Sequence, residues 1–264
     1  MNEMTKQHNI VATIGRVFIT FLASVGRLSL FIWNALSSGF RPPYYPRQMG
    51  RMMLEIGYYS LPVIGLTAIF TGAVLALQSY SGFSRFSAES SIPIVVVLSI
   101  TRELGPVLAG LMVAGRIGAA FAAEIGTMRV TEQIDALVTL STNPFQYLIF
   151  PRLLAGTLML PCLVFVADII GVLGGYMVST QALGFASGPY INNTWSFLEF
   201  KDVFSGLVKA AAFGFIVALM GSYHGYHSKG GAQGVGAATT NAVVSSSILI
   251  FLSNYLLTQV FFSI

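Results

Sequence analysis

The stretch IPIVVVLSITRELGPVLAGLMVAGRIGAAF, residues 92–121, decides the fold. It is longer than the roughly 20 apolar residues a helix needs to cross a ~30 Å hydrocarbon core. Runs of the same kind at about 54–78, 148–179, 203–223 and 239–263 bring the expected number of membrane-spanning helices to five. Within the first-quoted run two charges, Arg102 and Glu103, stand about ten residues from one end, which at ~1.5 Å per residue places them ~15 Å deep. A charge at that depth costs roughly 2.5–3.5 kcal/mol, so each must face a cavity, water or a partner.

Composition agrees. Of 264 residues, 55% are hydrophobic and 9% charged, against roughly 25% charged in a soluble domain. No Gly-, Pro- or Ser-rich linker divides the chain, so residues 1–264 are expected to form one domain: a tail and interfacial helix over 1–50 and a five-helix transmembrane part over 51–264. A lone cysteine, Cys162, excludes a disulfide framework within the chain. The net charge of +4 comes from cations scattered singly, with no aromatic-basic module, so nucleic acid is not an expected partner.

Residues 10–34 differ from the five runs. Thr13, Arg16, Thr20, Ser24 and Arg27 recur at helical spacing on one face, and Ile10, Ile14, Phe18, Phe21, Leu28 and Ile32 fill the other. That pattern predicts an amphipathic helix lying in the membrane interface. Lys6, Arg16, Arg27, Arg41, Arg47, Arg51, Arg116, Arg129, Arg152 and Lys229 fall on one side of the membrane, with Arg85 and Lys201 on the other. The N-terminus is therefore expected in the cytoplasm and the C-terminus outside it. Small residues four apart (Ala114 and Gly118, Gly171 and Gly175, Ala210 and Gly214, Gly221 and Gly225) allow helices to approach closely.

Two further intramembrane charges are Asp168 and Lys209. Lys209 either pairs with Glu103 or snorkels to the surface, and Asp168 pairs with one of the cations; the spacing leaves these open. Arg102 and Glu103 point about 100° apart on a helix and do not neutralise each other. After residue 121 the segment Glu124–Leu137 is too polar to cross a membrane. Its apolar positions Ile125, Met128, Ile134 and Leu137 keep helical spacing, which predicts a short cytoplasmic helix that docks another protein. No zinc motif, nucleophile elbow or phosphate-binding loop occurs, so ATP hydrolysis by this chain alone is not expected.

The elements R-E-L-G-P, A-G-R-x-G and A-E-I-G within 98–126, continuing through M-R-x-T-E-Q-I-D-A-L and Asn143-Pro144, closely resemble the MlaE-type permeases. These are membrane subunits of the Mla ABC transporter, which traffics phospholipids between the inner and outer membranes of Gram-negative bacteria and maintains outer-membrane lipid asymmetry. The resemblance implies an all-α inner-membrane protein with an interfacial N-terminal helix, five membrane helices and a short coupling helix. It also implies a homodimer, two ATPase subunits that use ATP and Mg while this chain binds no cofactor, a STAS-domain protein and a hexameric periplasmic MCE-domain protein.

By the same resemblance, Arg102, Glu103, Leu104, Tyr80 and Leu75 border a lipid cavity, and Glu124, Gly126, Arg129, Glu132, Gln133 and Asp135 couple to the ATPase. Asn254 departs from the pattern, standing where an acidic residue is expected, so Lys209 needs a partner elsewhere. A self-sufficient secondary transporter using Arg102, Glu103, Asp168 and Lys209 as an ion relay is the rival reading.

Overall fold

The computed structural model describes residues 10–262, and side chains from residue 15 onward; Lys6 and the side chains of Ile10, Thr13 and Ile14 lie outside what is described. The described residues contain helices and no strands. In chain order the α-helices are α1 (Ile10–Gly39), α2 (Pro46–Ile56), α3 (Leu61–Phe83), α4 (Ile92–Ser99), α5 (Gly105–Val113), α6 (Ala119–Val130), α7 (Gln133–Thr139), α8 (Phe150–Gln181), α9 (Ser187–Phe197), α10 (Phe200–Tyr226) and α11 (Gly231–Phe262). Proline stands in the first turn of α2, α3, α4, α5 and α8, a position its fixed φ suits.

The expected span at 92–121 is a continuous helical rod made of α4, α5 and α6, joined by two π-turns, Ile100–Leu104 and Ala114–Gly118. A π-turn inserts one residue and rotates everything beyond it, a device common at functional sites. Each of the five expected runs lies in a long apolar helix: Pro46–Phe86, Glu89–Val130, Phe145–Gln181, Phe200–Tyr226 and Gly231–Phe262. A sixth segment, Gly15–Gly39 of α1, is also long and apolar enough to cross a membrane. Its polar groups still form one stripe, where Thr20 donates to Arg16 O, Ser24 to Thr20 O, and Arg27 Nη2 to Ser24 Oγ. Among the described side chains it docks through its C-terminal half, by buried Phe31 among Phe145, Tyr223 and Tyr226.

The helices pack around α8 and α10: α8 lies against α3 and α10, and α10 also against α6 and α11. Phe121, Leu153, Leu160, Phe213 and Val217 form the buried centre. At the crossing of α8 and α10 the backbones of Gly156 and Gly214 touch: a Cβ on Gly156 would lie 2.6 Å from Gly214 O, and one on Gly214 would land on Gly156 O. Gly72 meets Gly171 in the same way, and Gly221 and Gly225 press on Gly118 and Ala122. The small residues thus hold helix pairs closer than side chains permit. Gly214→Val is expected to cost more than the ~1–3 kcal/mol of ordinary overpacking, seen as loss of monodisperse protein on size-exclusion chromatography.

Candidate functional site

The π-turn Ile100–Leu104 organises a cluster of charges between α4, α10 and α11. In an α-helix the carbonyl of Arg102 would accept from residue 106, but Pro106 has no N–H to give. Lys209 Nζ takes that carbonyl at 2.9 Å, and its other two protons go to Glu103 Oε1 at 2.7 Å and Thr258 Oγ1 at 2.8 Å. An ammonium has three protons to donate, and here all are used. Lys209 is fully buried, so it does not snorkel, and its partner is Glu103. Asn254, the residue that departs from the acidic pattern, donates Nδ2 to Glu103 Oε2 at 2.8 Å. The last helix therefore joins the cluster through neutral donors, and Glu103 supplies the negative charge beside Lys209.

Arg102 turns to a second acid that the sequence reading passed over. Asp202 Oδ1 accepts Nε at 2.8 Å and lies 2.7 Å from Nη2, while Oδ2 accepts the Glu199 N–H at 3.1 Å and so caps α10. Asp202 precedes Lys209 by seven residues, two turns on one helical face, which is the signal that could have found it. The Arg102 guanidinium also stands over the Phe262 ring, 4.5 Å from its centroid. Arg102 and Glu103 side chains remain 34% and 37% exposed, whereas Asp202 and Lys209 are 1% and 0%. The buried members of both pairs sit on α10, and the partly exposed members on the π-turn.

The structure does not gather every expected residue here. Asp168 pairs with neither cation: both its oxygens are buried without a hydrogen-bond partner, on the far side of the π-turn against Gly105. It is corrected from charge partner to unpaired acid, because the inserted residue aims Arg102 and Glu103 toward α10 and α11. Leu75 and Tyr80 pack on the cluster of Ala76, Ile92, Val96 and Ile100, with Tyr80 edge-on to Phe185. Leu104 lines a narrow cleft with Ile64, Thr67 and Leu108.

At the other end of the rod the expected helix Glu124–Leu137 is two helices. The first half is the end of α6, continuous with the span, and the second half is α7, which starts after Glu132 in a left-handed conformation (φ 60°). A continuous helical rod thus runs from the charge cluster to the bend. Glu124 Oε2 pairs with Arg152 at 2.7 Å, and Arg152, fully buried, also donates to Leu148 O at 2.6 Å and lies over Phe121. Arg152 is therefore a strut between α6 and α8 and not a surface cation. Gly126 packs on Ser228 and Val235. Arg129 Nη1 donates to Asp135 Oδ1 at 2.7 Å, an exposed pair worth about 0–1 kcal/mol. Glu132, Gln133 and Asp135 are exposed, beside exposed Val138 and Leu140, so α7 presents a mixed acidic and apolar surface.

Comparison with known proteins fits this arrangement. The family model described as Permease MlaE matches residues 49–260. A probable ABC transporter permease protein of Rickettsia felis is 60% identical over 97% of this chain and 99% of its own length. The intermembrane phospholipid transport system permease protein MlaE of Haemophilus influenzae is 34% identical over 96% of this chain and 98% of its own. The chloroplastic protein TRIGALACTOSYLDIACYLGLYCEROL 1 of Arabidopsis thaliana is 38% identical over 78% of this chain and 59% of its own. A multi-pass helical chain matched by that model over most of its length, and by full-length relatives at such identities, belongs to the MlaE permease family.

Proposed function

We propose that this chain is the membrane permease subunit of an ATP-driven transporter that moves phospholipid between the inner and outer membranes and so maintains outer-membrane lipid asymmetry. The observation that carries the reading is the pair of partly exposed charges, Arg102 and Glu103, held within a long apolar helix by fully buried partners on α10. A phospholipid has an anionic phosphate and apolar chains. Arg102 has five N–H donors, of which Asp202 engages those on Nε and Nη2, and the remainder suit a phosphate.

The chain works as a homodimer in the inner membrane, N-terminus in the cytoplasm, with α1 in the interface where its Arg16–Arg27 stripe meets anionic headgroups. Two ATPase subunits, which hold ATP and Mg, dock on Glu132, Gln133, Asp135 and the apolar tip of α7. A STAS-domain protein accompanies them, and a hexameric MCE-domain protein receives or supplies lipid on the outer side. ATP-driven closure moves α7, and the continuous rod α6–α5–α4 carries that movement to the π-turn beside Arg102. The chain itself performs no covalent chemistry in this reading.

Arg102→Ala is expected to lower bound phospholipid several-fold, by lipid mass spectrometry of the purified protein, and to lower the yield of folded protein by less, because Asp202 keeps the Glu199 N–H as a donor. An equal fall in folded protein would make Arg102 a structural strut for Asp202 only.

A further inference from the structure

Between α2 and α3 the chain makes a short 3₁₀ turn, Tyr58–Ser60, and the second π-turn of the rod, Ala114–Gly118, reaches it through one side chain. Arg116 Nη1 donates to Ser60 Oγ at 2.7 Å and to Glu55 O at 3.2 Å, and Ser60 is buried. That fixes one end of the guanidinium and uses two of its five protons. Those on Nε and Nη2 have no acceptor among the described residues. Beside Arg116 lies a cavity of about 680 Å³, within the roughly 300–1,000 Å³ range of ligand sites, lined by Arg51, Leu54, Glu55, Tyr58, Tyr59 and Arg116. Arg51 and Glu55 stand one turn apart on α2, yet neither belongs to an ion pair among the described residues. Two guanidinium groups thus line this cavity against one carboxylate.

The depth of the cavity says what would meet those charges. Ile92 opens the apolar run of the rod, just after exposed Glu89 and Ser90. Arg116 stands twenty-four residues further along the same rod, ~36 Å at ~1.5 Å per residue, against a hydrocarbon core of ~30 Å. The cavity therefore lies at the headgroup level of the leaflet on the α7 side. Tyr58 and Tyr59, both exposed and edge-on to each other, stand where aromatic residues favour the interface. We propose that this cavity is a headgroup site for an anionic phospholipid of that leaflet, separate from the charge cluster around Arg102. Arg51 and the free edge of Arg116 donate to the phosphate, and the chains pass exposed Leu54 into the hydrocarbon. A zwitterionic headgroup fits less well, because its own cation adds to the excess of positive charge. The site requires only the membrane, so it stands or falls apart from the transport reading.

The chain has two tryptophans, Trp33 and Trp195, so Trp33→Phe, Trp195→Phe and Tyr59→Trp together leave a single reporter, at this cavity. That full-length protein is placed in phosphatidylcholine bilayers and titrated with phosphatidylglycerol or phosphatidylcholine brominated on the acyl chains. The glycerol lipid is expected to quench the tryptophan at about fivefold lower mole fraction, the preference of one partly exposed ion pair. Arg51→Gln should bring the ratio below about two, and Glu55→Gln, which removes the opposing charge, should raise it above the parent's. Arg116→Gln should also erase the preference, and Arg51→Gln carries the test if that variant does not fold, since Arg51 is exposed and holds no partner. Excess soluble glycerol phosphate should leave the quenching unchanged; relief of quenching would make this a site for free phosphate and overturn the lipid assignment. Equal quenching by both lipids in the parent, or a preference that survives Arg51→Gln, overturns the proposal. So does a changed oligomeric state of Arg51→Gln on size-exclusion chromatography, which would assign the cavity to contact between copies of the chain.

Discussion

Lys209→Met will destabilise the protein by about 2–4 kcal/mol, seen as a lower thermal midpoint in detergent. Removing one partner of a buried ion pair strands the other charge, which costs ~3–5 kcal/mol when both are buried. The figure here is smaller because the Glu103 side chain is 37% exposed and keeps Asn254 and Thr258 as donors. Adding Glu103→Gln to the same chain should recover most of the loss, since an amide leaves no unpaired charge. A single variant as stable as the parent would mean that Lys209 holds nothing together and is free for another task, as the ion-relay reading requires.

The second large effect is at the other end of the rod. Glu132→Lys combined with Asp135→Lys should lower ATPase recovery on a tagged chain at least tenfold, because like charges across an interface cost several kcal/mol and each ~1.4 kcal/mol is a factor of ten. Both side chains are exposed, and the Arg129–Asp135 pair is a surface one, so the thermal midpoint should move by no more than about 3 °C. Full ATPase recovery by the doubly reversed chain would remove α7 from the docking surface.

Hydrophobic run length was enough to locate the five long apolar helices, because a bilayer imposes the same minimum length on any helix that crosses it. It was not enough for α1, whose length and hydropathy qualify it as a span while its stripe of Arg16, Thr20, Ser24 and Arg27 argues for the interface. At the charge cluster the pairing of Lys209 with Glu103 was one of two readings open in the sequence, and the structure selects it. Asp202 was legible as the residue two turns before Lys209, and the free Arg102 carbonyl as the residue four before a proline.

The direction of Asp168 was not legible. It depends on a π-turn, which changes the facing of Arg102 and Glu103 relative to Thr101 and Gly105 without any mark in composition. The strut between Arg152 and Glu124 was hidden for a different reason. A basic residue near a helix end looks like a topology signal, and only the packing of α6 on α8 shows that Arg152 is buried. The split of Glu124–Leu137 into two helices likewise rests on one left-handed residue, Glu132, which carries no glycine to announce a turn.

The most direct test of the permease reading is affinity purification of the tagged chain from its native membrane in mild detergent, with mass spectrometry of the proteins and lipids that come with it. An ATPase and an MCE-domain protein recovered together with phospholipid is the predicted result. A folded chain recovered alone, which moves lipid across vesicle bilayers without ATP, would contradict it and establish the secondary transporter in its place.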